Sequence, residues 1–202
     1  MMGAMGHTTA REEARSAGSL PAGLQAAARI GEALSQGGVP YAVIGGLAVQ
    51  ANTWEAGADV AHARSNVDLL LNRADIEKAK SVLGGLGYHL ELLSELLRNR
   101  TPDALRYVRA VLAGELFSPG SFDEAPLLSQ ATTYRSALGF QCLRVAPLLG
   151  MKLSAYRNVD KVHVQDMLEA GVVSREAERS LRGDHYLRLQ HMKEVTEEER
   201  RG

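Results

Sequence analysis

A single cysteine, Cys142, in 202 residues excludes an intramolecular disulfide and any zinc cluster built on thiolates. With the usual reasons for an extracellular address gone, a cytoplasmic location is the expectation. Charge of one sign is equally lacking. Lys plus Arg number 23 against 24 Asp plus Glu, a net charge of −1, so no overall field pulls the chain onto DNA, RNA or an anionic membrane. Aromatic residues make up only 5%. Tyr107 alone falls within the basic cluster Arg98, Arg100, Arg106 and Arg109, too little for an interleaved stacking platform, so the cluster reads as a solvated face and RNA lacks support as a partner. The longest apolar run, Tyr41 to Val49, is interrupted by two glycines and falls short of the ~18 residues of a membrane span. Met1–Gly6 has no apolar segment behind basic residues, so it is not read as a signal peptide. Residues 1–23 are expected to be a disordered start outside the fold.

What is present is an ordinary globular composition, 45% apolar and 23% charged. A chain of 21.8 kDa can bury about 70% of its surface on folding, enough for one core with a helical extension. Helical spacing in Leu24, Ala27, Ile30 and Leu34 stops at Gly37–Gly38, and a strand follows at Tyr41–Ile44. Gly45–Gly46 punctuate it before a helix over Leu47–Trp54. Val67–Leu71 reads as a strand, Arg73–Leu86 as a helix and Tyr88–Leu92 as a third strand. Further strands are expected at Leu105–Leu112 and Gln141–Val145. Helices are expected after Pro147, over Lys161–Ala170 and over Ser174–Leu181, with a solvated helix end at Glu194–Arg201. The expected class is α/β (α+β): a mixed sheet flanked by helices over residues 24–145, then a carboxy-terminal helical segment over 146–202.

Two places carry chemistry. Gly45 and Gly46 stand where a buried strand turns into a helix, so the backbone can approach a ligand while the helix start offers N–H donors to an anion, naturally phosphate. Twenty residues on, Arg64-Ser65-Asn66-Val67-Asp68-Leu69-Leu70 sets Asn66 and Asp68 on one face of an otherwise apolar strand.

With a third block, Val145 to Arg157 continuing to Asp160, Lys161 and Asp166, these motifs resemble the minimal nucleotidyltransferase superfamily, especially its abortive-infection and toxin–antitoxin branch. Val43-Ile44-Gly45-Gly46-Leu47 is similar to the family's glycine signature. Asn66-Val67-Asp68 lies where the family carries two aspartates, and the helix with Lys152 and Arg157 is similar to its carboxy-terminal helix. The likeness spans about Val39 to Leu168. It implies a nucleoside triphosphate as ligand or substrate and Mg²⁺ as cofactor. It also implies Asp68 as catalytic and metal-binding residue, with Gly45, Gly46, Arg64, Asn66, Lys152 and Arg157 binding nucleotide or phosphate.

The departures bear on activity. Asn66 removes one carboxylate, and Arg109 and Ala110 stand where a third is sought, with Glu115 past the strand end. A magnesium ion wants several hard anionic oxygens, so Asp68 alone would hold it weakly and Arg109 would repel it. The expectation is a catalytically weakened or inactive pseudoenzyme that keeps a nucleotide or phosphate site for a regulatory or toxin–antitoxin-like role, with a protein as further partner. Two alternatives stay open. One is a divergent active transferase, moving a nucleoside monophosphate to an RNA, protein or small-molecule hydroxyl, with Asp59, Glu55 or Asp123 in the missing role. The other is a non-enzymatic interaction domain, in which Asp68 merely pairs with Arg64 or Arg73. Beside these, Cys142 reads as a small buried hydrophobe, Trp54 as core cover, His62 as a solvated loop residue and His163 with Asp166 as a surface pair.

Overall fold

The computed structural model describes residues 20–58, 66–92, 107–117, 123–199 and 201. Arg64, Asp59, His62, Arg98, Arg100 and Arg106 lie outside them, as do residues 105 and 106 of the expected fourth strand. The elements in order are α1 (Ala22–Gln36), β1 (Tyr41–Ile44), α2 (Gly45–Glu55), β2 (Val67–Leu71), α3 (Ile76–Gly84), β3 (His89–Leu92), β4 (Tyr107–Leu112), β5 (Thr133–Arg135) and β6 (Gln141–Leu143). Four helices follow: α4 (Val145–Ala155), α5 (Asn158–Glu169), α6 (Arg175–Ser180) and α7 (Gly183–Glu199).

The strands form one mixed sheet in the order β3-β4-β2-β1-β6-β5. β1 runs antiparallel to β2 and parallel to β6, while β2, β4 and β3 are mutually parallel and β5 closes the far edge antiparallel to β6. The central position of β1 explains its unbroken apolar run, because a strand covered on both faces has no polar face to alternate with. β2 is buried in the same way except at Asp68. α1 packs on β1, α2 and α3, and its buried stripe Leu24, Ala27, Ile30 and Leu34 faces that layer. α2 differs. Every residue from Leu47 to Thr53 is buried, because the sheet covers one side of the helix and α4 and α5 cover another. Two of its polar residues are satisfied, the Asn52 amide donating to the carbonyls of Ala48 and Leu143 and the Thr53 hydroxyl to that of Val49, whereas the buried Gln50 Oε1 meets no donor among the described residues.

Several boundaries move for identifiable reasons. α1 starts at Ala22, inside the stretch assigned to a disordered start, because Pro21 pre-sets a helical entry. The two glycines do not punctuate β1; they are the first residues of α2. Arg73–Asp75 form a 3₁₀ turn ahead of α3, and α4 begins at Val145, two residues before Pro147, whose missing N–H costs nothing within a first turn. β5 escaped sequence reading for its shortness, and of α7 only the solvated end from Glu194 was expected, its earlier turns having a polar composition that hides the helix.

Candidate functional site

Register brings the two sequence motifs together. Ile44, the last residue of β1, pairs with Asp68 of β2, so the first residue of α2 lies against the Asp68 side chain. Gly45 has φ of +71°, and a Cβ there would fall on Asp68 Oδ2 and within 3.2 Å of its Cβ. Both facts select glycine: the left-handed backbone disfavours a side chain, and the carboxylate occupies its space. The parallel pairing of β2 with β4 then sets Arg109 beside Asp68.

The two close into a fork-on-fork pair. Arg109 Nε donates to Oδ1 at 2.5 Å and Nη2 to Oδ2 at 2.7 Å. Both oxygens accept, so the carboxyl is ionised in this geometry. Burial raises its pKa above the ordinary carboxylate value, with Arg109, and more weakly Lys152 and Arg157, pulling the other way.

A second knot faces the first from the carboxy-terminal helices. Lys152 on α4 donates to Asp160 Oδ1 at 2.9 Å, and Arg157 Nε donates to Asp160 Oδ2 at 2.7 Å. The Lys152 and Asp160 side chains are only 8% and 1% exposed, whereas Arg157 is 64% exposed. Burial pushes the Asp160 carboxyl up, but the Arg157 hydrogen bond and the Lys152 ammonium more than offset it and hold the group below its ordinary value. Asp160 also accepts from the Arg157 backbone N–H, closing a capping box at the start of α5. The corner joining α4 to α5 is made by Tyr156 in the left-handed region at φ 46°. Its ring lies between Lys161 Nζ at 4.6 Å and the Arg188 guanidinium at 4.7 Å from the centroid, which holds a turn of unfavourable backbone and aims Arg157 and Asp160 at the sheet.

These groups line one cavity of about 70 Å³, together with Val111, Phe117, Leu148 and Met151. Space of that size holds a few water molecules. Three cations, Arg109, Lys152 and Arg157, face two carboxylates, Asp68 and Asp160, so the lining carries one net positive charge. Both guanidiniums use Nε and Nη2 in their main pairs and retain Nη1 donors.

Of the residues singled out from sequence, Gly45, Asp68, Lys152 and Arg157 meet here. Gly46 sits in the first turn of α2 and Asn66 just ahead of β2, and neither lines the cavity. Arg64 lies outside the described residues. Arg109, read as a competitor of metal, is the direct partner of Asp68, whereas Arg73 pairs with Glu115 beyond the end of β4 at 2.5 Å. Asp160 carries more of the site than sequence reasoning granted it. Its spacing of three residues after Arg157 was the available signal.

The donor set fits a divalent cation poorly. Each carboxylate in the cavity is already held by two side-chain bonds or more from cationic partners, and a metal would have to approach past Arg109 and Lys152. No group of three or more His, Cys, Asp or Glu residues able to hold a metal occurs among the described residues. Two of the carboxylates considered as replacements are engaged elsewhere. Glu55 accepts from the Ala137 backbone N–H at 2.7 Å, and Asp123 accepts from Ser154 and meets His185 Nε2 at 3.1 Å. Cys142 is fully buried, and burial pushes its thiol up to about 12, so it is no nucleophile near neutral pH. Trp54 packs against the core. No family model, curated protein or solved structure matches this chain. No helix among the described residues is long and apolar enough to cross a membrane.

Proposed function

We propose that this chain is a nucleotidyltransferase-like pseudoenzyme that recognises the phosphates of a nucleotide without a metal ion, in a regulatory or toxin–antitoxin-like role. The observation that carries the reading is the convergence of Gly45, Asp68, Arg109, Lys152 and Arg157 on one cavity from two strands, the start of α2, helix α4 and the corner between α4 and α5. A guanidinium paired with Asp68 takes the place of a metal there, and a lining with a net positive charge attracts phosphate oxygens. The Nη1 donors of Arg109 and Arg157 supply the first contacts. Phe117 and Met151 must shift to admit more than a single phosphate, since the cavity is far below the ~300 Å³ at which small-molecule sites begin.

Calorimetric titration with ATP, CTP, GTP and UTP, each in Mg²⁺ and in a chelator, tests the reading. The expected result is binding that the chelator leaves unchanged and that Arg157→Gln or Arg109→Gln weakens about tenfold, the value of one charge-assisted contact. Binding that requires Mg²⁺ and disappears in Asp68→Ala would favour a residual transferase. Absence of binding to all four nucleotides would leave an interaction domain, with the cavity serving only to pair charges.

A further inference from the structure

Three neighbouring strands turn their polar residues the same way. The registers of β2 with β4 and of β4 with β3 put Asp68, Arg109 and Glu91 in one cross-strand row. One row earlier His89 lies opposite Tyr107, and Asn66, the residue ahead of β2, continues the alternation beside them. These six side chains therefore share one face of the sheet. The other face of the same strands holds Val67, Leu69, Leu90, Val108 and Ala110, every one of them buried.

The polar face is open. His89 is exposed, and Asn66, Glu91 and Tyr107 are half-buried. None of these four enters an ion pair or a side-chain hydrogen bond among the described residues. The His89 and Tyr107 rings meet at 5.6 Å between centroids and 34° between planes, a shallow aromatic surface on the middle and edge strands. Arg109 joins this surface to the cleft, because it lines the cavity and stands one row from Tyr107, about 7 Å along the strand. A ribose bridges such a gap between a 5′-phosphate and its base. Charge then selects what lies on the rings. Glu91 flanks Arg109 on the side away from Asp68 and repels a second phosphate there, whereas the flat face of a base stacks on Tyr107 and its edge meets the Asn66 amide.

We propose that the ligand of the cleft is a nucleoside monophosphate whose base stacks on Tyr107 and His89, with its edge held by Asn66. This rests on the reading of the cleft as a phosphate site and adds to it the recognition of the base. A single phosphate is what the cavity admits before Phe117 and Met151 shift, which agrees with a monophosphate.

The test is calorimetric titration of the full chain with AMP, ribose 5-phosphate and inorganic phosphate, with circular dichroism to check that each variant is folded. AMP is expected to bind about tenfold or more tightly than ribose 5-phosphate, the value of one stacked base. Tyr107→Ala should reduce AMP to the affinity of ribose 5-phosphate and leave the sugar phosphate unchanged, while Tyr107→Phe keeps the preference. Asn66→Ala should weaken AMP alone, by about fivefold. Equal binding of AMP and ribose 5-phosphate, both weakened by Arg157→Gln, overturns the base platform and leaves the phosphate cleft standing. A preference for AMP that survives Tyr107→Ala also overturns it. Absence of binding by all three overturns the cleft reading as well. A 5′-phosphorylated oligoadenylate should bind no more tightly than AMP, and affinity that climbs with its length would replace the mononucleotide by a nucleic-acid track.

Discussion

The cleft at the β1–α2 junction and the open sheet face beside it handle polar groups in opposite ways. In the cleft every cation has a carboxylate in contact, two of the five charged groups are nearly inaccessible, and the open space amounts to about 70 Å³. On the sheet face Asn66, His89, Glu91 and Tyr107 reach solvent with no ion pair or side-chain hydrogen bond among the described residues. Buried charges cannot be left unpaired, so Lys152 and Asp160 are locked to each other and belong to the stability of the fold, while Arg157, paired but 64% exposed, keeps an open edge. Accessible polar groups stay hydrated at little cost, so the sheet face keeps its side chains available. A site that has given its carboxylates to internal cations is poorly suited to metal-dependent catalysis, and a face with unassigned polar and aromatic groups is suited to recognising a base.

The contrast predicts unequal responses to substitution. Asp160→Ala should cost the most, about 3–5 kcal/mol in urea unfolding, because it strands the Lys152 ammonium at 8% exposure. A loss under 1 kcal/mol would show that water reaches Lys152 and that the pair is not locked. Gly45→Ala should follow at about 1–3 kcal/mol, from the left-handed backbone and the displacement of Asp68. Thermal melts read that loss, and an unchanged melting temperature would disprove the tight approach.

Acid unfolding sharpens the same comparison. Asp160 is held below its ordinary value, so its contribution is complete above the unfolded pKa near ~4 and is lost as pH falls below it. Asp160→Asn should therefore flatten the acid limb of the stability profile. Asp68 is shifted upward, so its slope has the opposite sign and lies above ~pH 4, where stability falls as pH rises. Asp68→Asn should leave the Asp160 limb in place and remove that opposing slope. The smallest effects belong to the sheet face. Asn66→Ala and Glu91→Gln should change stability by no more than ~0.5 kcal/mol, since neither residue is fully buried or, among the described residues, ion-paired. A larger loss in either would mean that the face is also structural.

The candidate site was legible in part. Gly45 and Asp68 stood out because a glycine after a buried strand and an acid inside an apolar one both violate local expectation, and such violations mark special positions. Lys152 and Arg157 stood out through the third motif. Asp160 did not, because an aspartate in a helical first turn is an ordinary cap until its burial at 1% is known. Apart from Asn66, the sheet face left no trace in sequence: His89, Glu91 and Tyr107 are ordinary residues until the registers of β3 and β4 align them.

What the sequence determined alone was local. The apolar runs of β1 and β2, the stripe of α1 and the near balance of charge follow from side-chain periodicity and solvation, which act within a few residues. What the tertiary structure decided was who meets whom. The registers of β2 with β1 and β4 chose Arg109 as the partner of Asp68, and the Tyr156 corner brought Lys152, Arg157 and Asp160 to the same place. Ion pairing depends on distances of a few ångströms between groups far apart in the chain, and only the folded sheet sets those distances.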